Sequence, residues 1–213
     1  MSGLKNRGRF ISLEGGEGVG KSTQLQRLAM KLREHGIEVV VTREPGGSRG
    51  AEAIRELLLA GRVERWSAAT EALLFAAARS DHVAHTITPA LDSGKWVISD
   101  RFVDSSRAYQ GVAGGLGDEA VMQLHAIGSA GLLPDRTIVL AFDDTKGRER
   151  ARARDGGSGD RFEQKSDQYH LAINQAWKRF CALEPDRIRL VDASGSEDEV
   201  TARIWAELAD LTA

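Results

Sequence analysis

Short runs of apolar and β-branched residues recur along the chain, separated by longer segments whose apolar residues follow a helical spacing. The short runs predict five strands, at residues 9–14, 38–42, 95–99, 136–142 and 187–191. Four of the five are nearly continuous apolar runs rather than alternating ones. This pattern is typical of strands that are buried on both faces of a sheet.

The longer segments predict six helices, at residues 21–35, 49–60, 67–92, 117–131, 164–183 and 197–211, with a break in the third near Pro89. Gly36 follows a last turn containing Lys, Arg and His, a common helix end. Because strands alternate with helical crossovers, we predict an α/β fold with a five-stranded, mostly parallel sheet flanked by helices on both faces. No repeat or linker divides the chain, so residues 1–213 are expected to form one domain.

Composition and charge argue against several classes of function. The 213 residues include 29 Lys and Arg against 31 Asp and Glu, a net charge of −2. Proteins that bind duplex nucleic acid usually carry a basic excess, so no nucleic-acid partner is expected. The longest apolar run, residues 72–78, is far shorter than the roughly 20 residues of a membrane helix, and the N-terminus has no signal-peptide core. With one cysteine, Cys181, the chain is expected to be soluble and cytoplasmic.

A phosphate-binding loop follows the first predicted strand and opens the first helix. It consists of Gly15, Gly16, Glu17, Gly18, Val19, Gly20, Lys21 and Ser22, a complete G-x-x-x-x-G-K-[ST] motif, and continues into Thr23. Its backbone N–H groups and the helix N-terminus suit the phosphates of ATP. Lys21 is expected to reach the β- and γ-phosphates, and the Ser22 hydroxyl to ligate Mg²⁺. The alternative is a glycine-rich turn before an amphipathic helix.

The loop alone does not distinguish kinases, GTPases and motor ATPases. No N-K-x-D guanine motif follows, and motors are usually larger, so a small kinase is favoured. Glu17 is unusual because a carboxylate in this loop would repel phosphates. It therefore points either toward a hydrogen-bond donor, such as a sugar hydroxyl, or toward solvent.

A second candidate segment, residues 100–111, follows the third strand, where ligands bind in open α/β sheets. Asp100 can hold Mg²⁺ directly or through water, and the Arg101 guanidinium suits a phosphate. The alternative is a simple Asp100–Arg101 ion pair. Tyr109 and Gln110 combine an aromatic wall with an amide, which suits a nucleobase.

Two further segments carry weaker signals. Pro45 forces an extended conformation on the residue before it, in a turn that either approaches a ligand or only connects strand to helix. Phe75 and Arg79 lie four residues apart on one helix face. Local pattern alone favours Phe75 as a core residue over a stacking platform.

Taken together, these motifs resemble the bacterial thymidylate kinase (dTMP kinase) family of P-loop nucleoside-monophosphate kinases over essentially the whole chain. The resemblance rests on the phosphate-binding loop, the REPGG turn at residues 43–47, the LLFAAAR helix segment and the segment from Ile98 to Gln110. It implies a three-layer P-loop kinase fold with a small lid and phosphorylation of dTMP to dTDP by ATP and Mg²⁺. It also implies a homodimer.

The resemblance assigns roles at the base. Phe75 would stack on thymine, and Arg79 would hydrogen-bond its carbonyl edge. Ser106 and Gln110 would line the base pocket. Tyr109 would crowd the 2′ position of the sugar and disfavour ribonucleotides.

It also assigns roles at the sugar and phosphates. Glu17 would bind the 3′-hydroxyl. Arg101 would bridge the donor and acceptor phosphates, with Arg43 assisting. Pro45 and Ser105 complete the implied dTMP site.

The basic stretch at residues 146–165 matches the family's lid, with seven Lys and Arg against four Asp and Glu. In one type of family member a basic residue follows the acidic residue of the phosphate-binding loop; here that position is Gly18. The resemblance therefore implies a catalytic arginine in the lid, Arg154 first, then Arg150 or Arg152. The alternative is a solvated basic face.

Two other functions remain open at this stage. Another small-molecule P-loop kinase would use a different acceptor. A non-enzymatic nucleotide switch would bind nucleotide without turnover, and would leave the lid and residues 100–101 without a role.

Overall fold

The computed structural model describes residues 7–16, 18–141, 161–162 and 164–212. Its five strands are β1 (Phe10–Gly15), β2 (Val39–Arg43), β3 (Trp96–Asp100), β4 (Arg136–Ala141) and β5 (Ile188–Asp192). They form one sheet in the order β2-β3-β1-β4-β5, and every adjacent pair is parallel. The predicted parallel α/β sheet is confirmed, and no strand end differs from its predicted position by more than one residue.

Burial along the strands follows their position in the sheet. The central strands β1, β3 and β4 are buried on both faces almost throughout, as predicted. The prediction is wrong for β2, whose residues are partly exposed despite its continuous valines. β2 is an edge strand, so one side of it has no neighbouring strand. A continuous apolar run in the sequence therefore does not by itself distinguish an edge strand from a central one.

The helices lie between and after these strands. They are α1 (Lys21–Glu34), α2 (Arg49–Leu59), α3 (Ala68–His82), α4 (Thr88–Asp92), α5 (Val103–Ser106), α6 (Asp118–Ser129), α7 (Asp167–Leu183), α8 (Glu197–Ala206) and α9 (Ala209–Thr212). A 3₁₀ turn, Val63–Arg65, precedes α3. Within the described ranges, no helix is long and apolar enough to cross a membrane.

The break expected near Pro89 takes the form of a π-helical segment, Val83–Ile87, between α3 and α4. The Thr88 N–H donates to the Val83 carbonyl, one residue further back than in an α-helix. Pro89 then lies at the start of α4, where its missing N–H is tolerated. The chain therefore stays helical through the proline.

A second π-helical segment, Arg107–Ala113, continues α5. Sequence patterning missed this helical stretch because its residues are mostly buried, including polar ones, and show no amphipathic stripe. It carries Tyr109 and Gln110, so both side chains extend from a helix rather than from a loop.

Apolar clusters cover both faces of the sheet, which gives the three-layer arrangement. On one face, α1 and α8 pack on alternate residues of the strands, such as Ile11 and Leu13. On the other face, α7 and the second π segment pack around Val139. These layers bring the carboxyl ends of β1, β2 and β3 to one edge of the sheet.

A buried ion network holds α5 and the π segment against the sheet. The fully buried Asp104 carboxylate accepts hydrogen bonds from Arg187 (2.7 and 2.9 Å), Arg107 (2.9 Å) and Thr137 (2.9 Å). Burial by itself raises the pKa of Asp104, but hydrogen bonds and charge from Arg187, aided by Arg107, hold it below its usual value. The network therefore links the segment after β3 to β4 and to the start of β5.

Candidate active site

One cavity of about 640 Å³ opens at the carboxyl ends of β1, β2 and β3, where open α/β sheets bind ligands. It joins the phosphate-binding loop to α3 and to the segment after β3. Its lining residues are Gly18, Gly20, Lys21, Ser22, Thr23, Arg43, Glu44, Pro45, Arg55, Leu59, Phe75, Arg79, Asp100, Arg101, Phe102, Ser105, Ser106, Tyr109, Gln110 and Phe162. Segments far apart in the sequence therefore share one space.

The phosphate-binding loop depends on glycine at specific points. Gly15 has a φ of 128°, and a Cβ there would lie 2.5 Å from the Leu140 carbonyl oxygen. Gly20 has a φ of 92° at the start of α1. The Lys21 ammonium lies across the loop and donates to the carbonyls of Gly15 (3.2 Å) and Gly16 (2.5 Å). Its amine is thereby held beside the loop's backbone.

A candidate cation site lies beside the loop. The Ser22 hydroxyl is 3.5 Å from Asp100 Oδ2. Asp100 Oδ1 is buried, and no hydrogen-bond donor in the described part of the chain reaches it. A carboxylate and a hydroxyl are the hard oxygen ligands that Mg²⁺ prefers, so this pair fits that ion.

Arg101 is held in a left-handed backbone conformation, with a φ of 69°. Its N–H donates to the Leu13 carbonyl (2.9 Å), and Ser99 Oγ donates to its carbonyl (2.7 Å). Its Nη1 donates to Ser105 Oγ (3.1 Å), and its guanidinium lies 5.1 Å from the centre of the Tyr109 ring. No Asp100–Arg101 ion pair forms among the described residues. Backbone strain and side-chain contacts together direct Arg101 along the cavity wall.

Glu14, on strand β1, accepts hydrogen bonds from the segment that follows Arg101. It is the residue before Gly15 and is completely buried. Its Oε1 accepts from the Phe102 N–H (2.8 Å), and its Oε2 lies 2.5 Å from Ser105 Oγ. Burial, followed by the nearby Asp104 charge, raises the pKa of Glu14 to about 8. This carboxyl connects the phosphate-binding strand to the segment that carries Arg101.

Arg79 is fixed from several sides at the other end of the cavity. Its Nε donates to Glu44 Oε2 (2.8 Å), and its Nη2 donates to Ser106 Oγ (2.9 Å) and to the Phe102 carbonyl (3.4 Å). The other Glu44 oxygen lies 3.1 Å from His82 Nδ1. Arg79 and Glu44 are both nearly inaccessible to solvent. The guanidinium is therefore held rigidly where it meets the cavity.

Comparison with known proteins identifies the family. The family model described as thymidylate kinase matches residues 13–204. The chain belongs to the thymidylate kinase family. Members of this family are ATP-dependent nucleoside-monophosphate kinases that phosphorylate dTMP, so the predicted family and enzyme class are confirmed.

Relatives agree over nearly the full chain. The thymidylate kinase of Rhizorhabdus wittichii is 58% identical over 204 residues, covering 96% of this chain and 98% of that protein. The thymidylate kinase of Bradyrhizobium sp. (strain ORS 278) is 46% identical over 200 residues, covering 93% and 88%. The crystal structure of thymidylate kinase from Ehrlichia chaffeensis aligns with a TM-score of 0.75 at 29% identity, covering 95% of this chain and 99% of that one.

Most residues singled out in the sequence meet at the cavity of this thymidylate kinase family member. The local pattern favoured Phe75 as a core residue. Phe75 is half-buried: it packs against the apolar residues that α7 and the second π segment place around Val139, and it also lines the cavity. Gly15, Gly16 and Val19 belong to the loop but are not among the lining residues. Glu17 and the lid arginines Arg150, Arg152 and Arg154 lie outside the described residues, as does most of the predicted lid.

Several cavity residues were not predicted from the sequence. Arg55 and Leu59 are four residues apart on α2, and the Arg55 Nη1 donates to the Pro45 carbonyl (2.6 Å). This i,i+4 spacing behind the REPGG turn was an available signal. Glu44 lies within that turn, but its partner Arg79 is 35 positions away. No local pattern reveals such a contact.

Proposed function

We propose that this chain transfers the γ-phosphoryl group of ATP to the 5′-phosphate of dTMP, forming dTDP for DNA synthesis. The observation that carries the proposal is that one cavity is lined both by the phosphate-binding loop and by Phe75 and Arg79. A donor site and a nucleobase site in one space are what direct phosphoryl transfer requires.

The donor end is formed by the loop at residues 15–23. Its backbone N–H groups would hold the ATP phosphates, and the Lys21 ammonium would neutralise their charge. Ser22 and Asp100 would hold Mg²⁺, which when bound offsets charge on the transferred phosphoryl group. The buried Asp100 oxygen, which no donor among the described residues reaches, and the nearness of Asp100 to Ser22 support this assignment.

The nucleobase end is assigned to the residues around α3 and the second π segment. Phe75 would stack on thymine, and Arg79 would donate to its carbonyl edge. Ser106 and Gln110 would line the pocket, while Tyr109 would exclude a 2′-hydroxyl. Support comes from their common cavity and from the contact between Arg79 and Ser106.

Between these ends, arginines surround the acceptor phosphate. Arg101 would bridge the two substrates' phosphates, and Ser105 positions it. Arg43, which is paired with Glu52 (3.0 Å), and Arg55, which donates to the Pro45 carbonyl, line the same cavity and would assist. An electrostatic clamp of this kind is the main catalytic device in phosphoryl transfer.

Glu17 and the lid belong to the proposal as predictions. Glu17 would bind the 3′-hydroxyl, and Arg154, or else Arg150 or Arg152, would reach the transferring group. Closure of the lid at residues 146–165 would exclude water and so suppress ATP hydrolysis. No general base is required, because the attacking phosphate of dTMP is already ionised.

The domain organisation, the oligomeric state, the cellular location and the partners also stay predictions. We propose one domain over residues 1–213, a homodimer and a cytoplasmic location, with no nucleic-acid or membrane partner. These follow from the family resemblance and the balanced charge rather than from the cavity.

A panel of nucleoside monophosphates tests the substrate assignment. We expect dUMP, which lacks only the 5-methyl group, to be about 10–200-fold poorer than dTMP in kcat/KM. We expect dCMP to be at least about 10³-fold poorer, because its base presents the opposite hydrogen-bonding edge. The measurement is ADP release in a coupled assay with ATP and Mg²⁺. Equal turnover of dTMP and dCMP would refute the base site, and nucleotide binding without turnover on any acceptor would favour a switch.

A further inference from the structure

Glu71 is a buried carboxylate that the proposed mechanism does not use. It lies on α3 one turn before Phe75 and two turns before Arg79, so all three share one helix face. Only 1% of the residue is exposed. Carboxylates are rarely buried to this degree without charged partners, and the partners of Glu71 lead directly to the base site.

One oxygen of the Glu71 carboxylate is paired with two cationic side chains, and the other accepts a hydrogen bond from a side-chain amide. Arg161 donates from Nη1 and Nη2 to Oε1, each at 2.5 Å, and the Lys165 ammonium lies 3.5 Å from the same oxygen. Gln110 Nε2 donates to Oε2 at 3.4 Å. Both oxygens of the carboxylate are therefore occupied by donors.

This arrangement determines which way the Gln110 amide faces. An ionised carboxylate only accepts hydrogen bonds, so the end of the amide beside Glu71 must be its NH₂ group. The carbonyl oxygen then lies at the opposite end of a side chain that lines the cavity. Among the described residues, no donor reaches that oxygen. Gln110 therefore offers the cavity a hydrogen-bond acceptor.

Arg79 offers the complementary group. Its Nε and Nη2 are bound by Glu44, Ser106 and the Phe102 carbonyl, whereas its Nη1 meets no acceptor in the described ranges. One donor and one acceptor then face the same cavity. Thymine presents a carbonyl acceptor at C4 and an N3–H donor, and cytosine presents the reverse at both positions.

We propose that Glu71 is a positioning residue that sets base specificity: it orients the Gln110 amide so that the pocket accepts a pyrimidine protonated at N3 and rejects cytosine. The proposal rests on the proposed function, since it assumes that dTMP occupies this cavity. Glu71 acts through Gln110 and does not touch the substrate.

The isosteric variant Glu71→Gln tests the proposal because it should invert the amide. Arg161 is always charged and would take the single carbonyl oxygen of the new side chain, which leaves an NH₂ group facing Gln110. Gln110 would turn its own oxygen toward that NH₂ and its NH₂ toward the cavity. We expect the ratio of kcat/KM for dTMP to that for dCMP to fall at least tenfold, with the gain on dCMP appearing in KM.

Two companion variants separate positioning from loss of an ion pair. Arg161→Gln removes the cation but leaves an acceptor-only carboxylate at Glu71, so the dTMP/dCMP ratio should stay within about threefold of wild type even if KM rises for both. The double variant Glu71→Met/Arg161→Met replaces the buried ion pair with apolar side chains of similar length, a change that proteins often tolerate. It removes the acceptor that orients the Gln110 amide, so the ratio should fall by at least about fivefold, and it carries the test if Glu71→Gln does not fold.

The outcomes distinguish this proposal from the proposed function. An unchanged ratio in folded Glu71→Gln overturns the positioning role, as does an equal fall in Arg161→Gln or an unchanged ratio in the folded double variant. A wild-type protein that fails to phosphorylate dTMP instead overturns the proposed function itself. A wild type that prefers dTMP, combined with a selective fall in Glu71→Gln, supports both.

Discussion

Replacing Lys21 with methionine is expected to lower kcat by about 10³-fold while leaving KM for dTMP within about threefold. Methionine keeps the buried aliphatic stem of Lys21 but removes the ammonium that would neutralise charge on the transferred phosphoryl group. Because Lys21 lies on the phosphate-binding loop, the loss should fall on turnover rather than on the base site. Steady-state kinetics with saturating ATP and varied dTMP provide the measurement.

Lys31→Met is the matched control for this variant. Lys31 is on the same helix, α1, but its ammonium lies over the Trp205 ring (4.8 Å) rather than in the cavity. Its kcat should remain within twofold of wild type. A Lys21→Met enzyme with kcat within tenfold of wild type would contradict the assignment of the donor site.

Replacing Glu14 with glutamine is expected to flatten the pH dependence of stability between about pH 4.5 and 8. The native carboxyl retains its proton up to its raised pKa of about 8, whereas in the unfolded chain it ionises near 4.5. Between these values the native state binds one more proton than the unfolded chain. Each unit of pH increase in this range therefore lowers the free energy of unfolding by about 1.4 kcal/mol through Glu14. Above about pH 8 the native carboxyl is ionised as well, so this contribution no longer changes with pH.

Glutamine reproduces the protonated carboxyl. Its oxygen can accept from the Phe102 N–H and its NH₂ can donate to Ser105 Oγ, so the fold should persist. Urea unfolding of wild type and Glu14→Gln at pH 5, 6, 7 and 8 measures the difference in slope. Glu34→Gln, at the exposed end of α1, should keep the wild-type slope. Parallel slopes for wild type and Glu14→Gln would show that Glu14 is ionised in the native protein at neutral pH.

Local sequence was sufficient for the framework of the fold. Strand positions followed from apolar runs, and the phosphate-binding loop followed from its glycines and Lys21, because these signals lie within a few residues of one another. The edge position of β2 did not follow, since strand order depends on how the crossovers pack. The helical stretch carrying Gln110 was also missed, because its burial comes from tertiary contacts with α7.

The supporting carboxylates of the site illustrate the same limit. Glu14, Glu44 and Glu71 are all buried, and their partners lie far away in sequence: Ser105 for Glu14, Arg79 for Glu44 and Arg161 for Glu71. No spacing rule connects such pairs. Only Glu71 carried a usable signal, because it repeats the four-residue spacing of Phe75 and Arg79 on α3.

Direct detection of the transferred group tests the central claim. Wild-type protein is incubated with Mg²⁺, dTMP and ATP labelled at the γ-phosphate, and the nucleotides are then separated. We expect the label to appear in dTDP in amounts matching the ADP formed, with little free phosphate. Label released as phosphate, or retained in ATP whenever dTMP is the acceptor, would contradict direct transfer to dTMP.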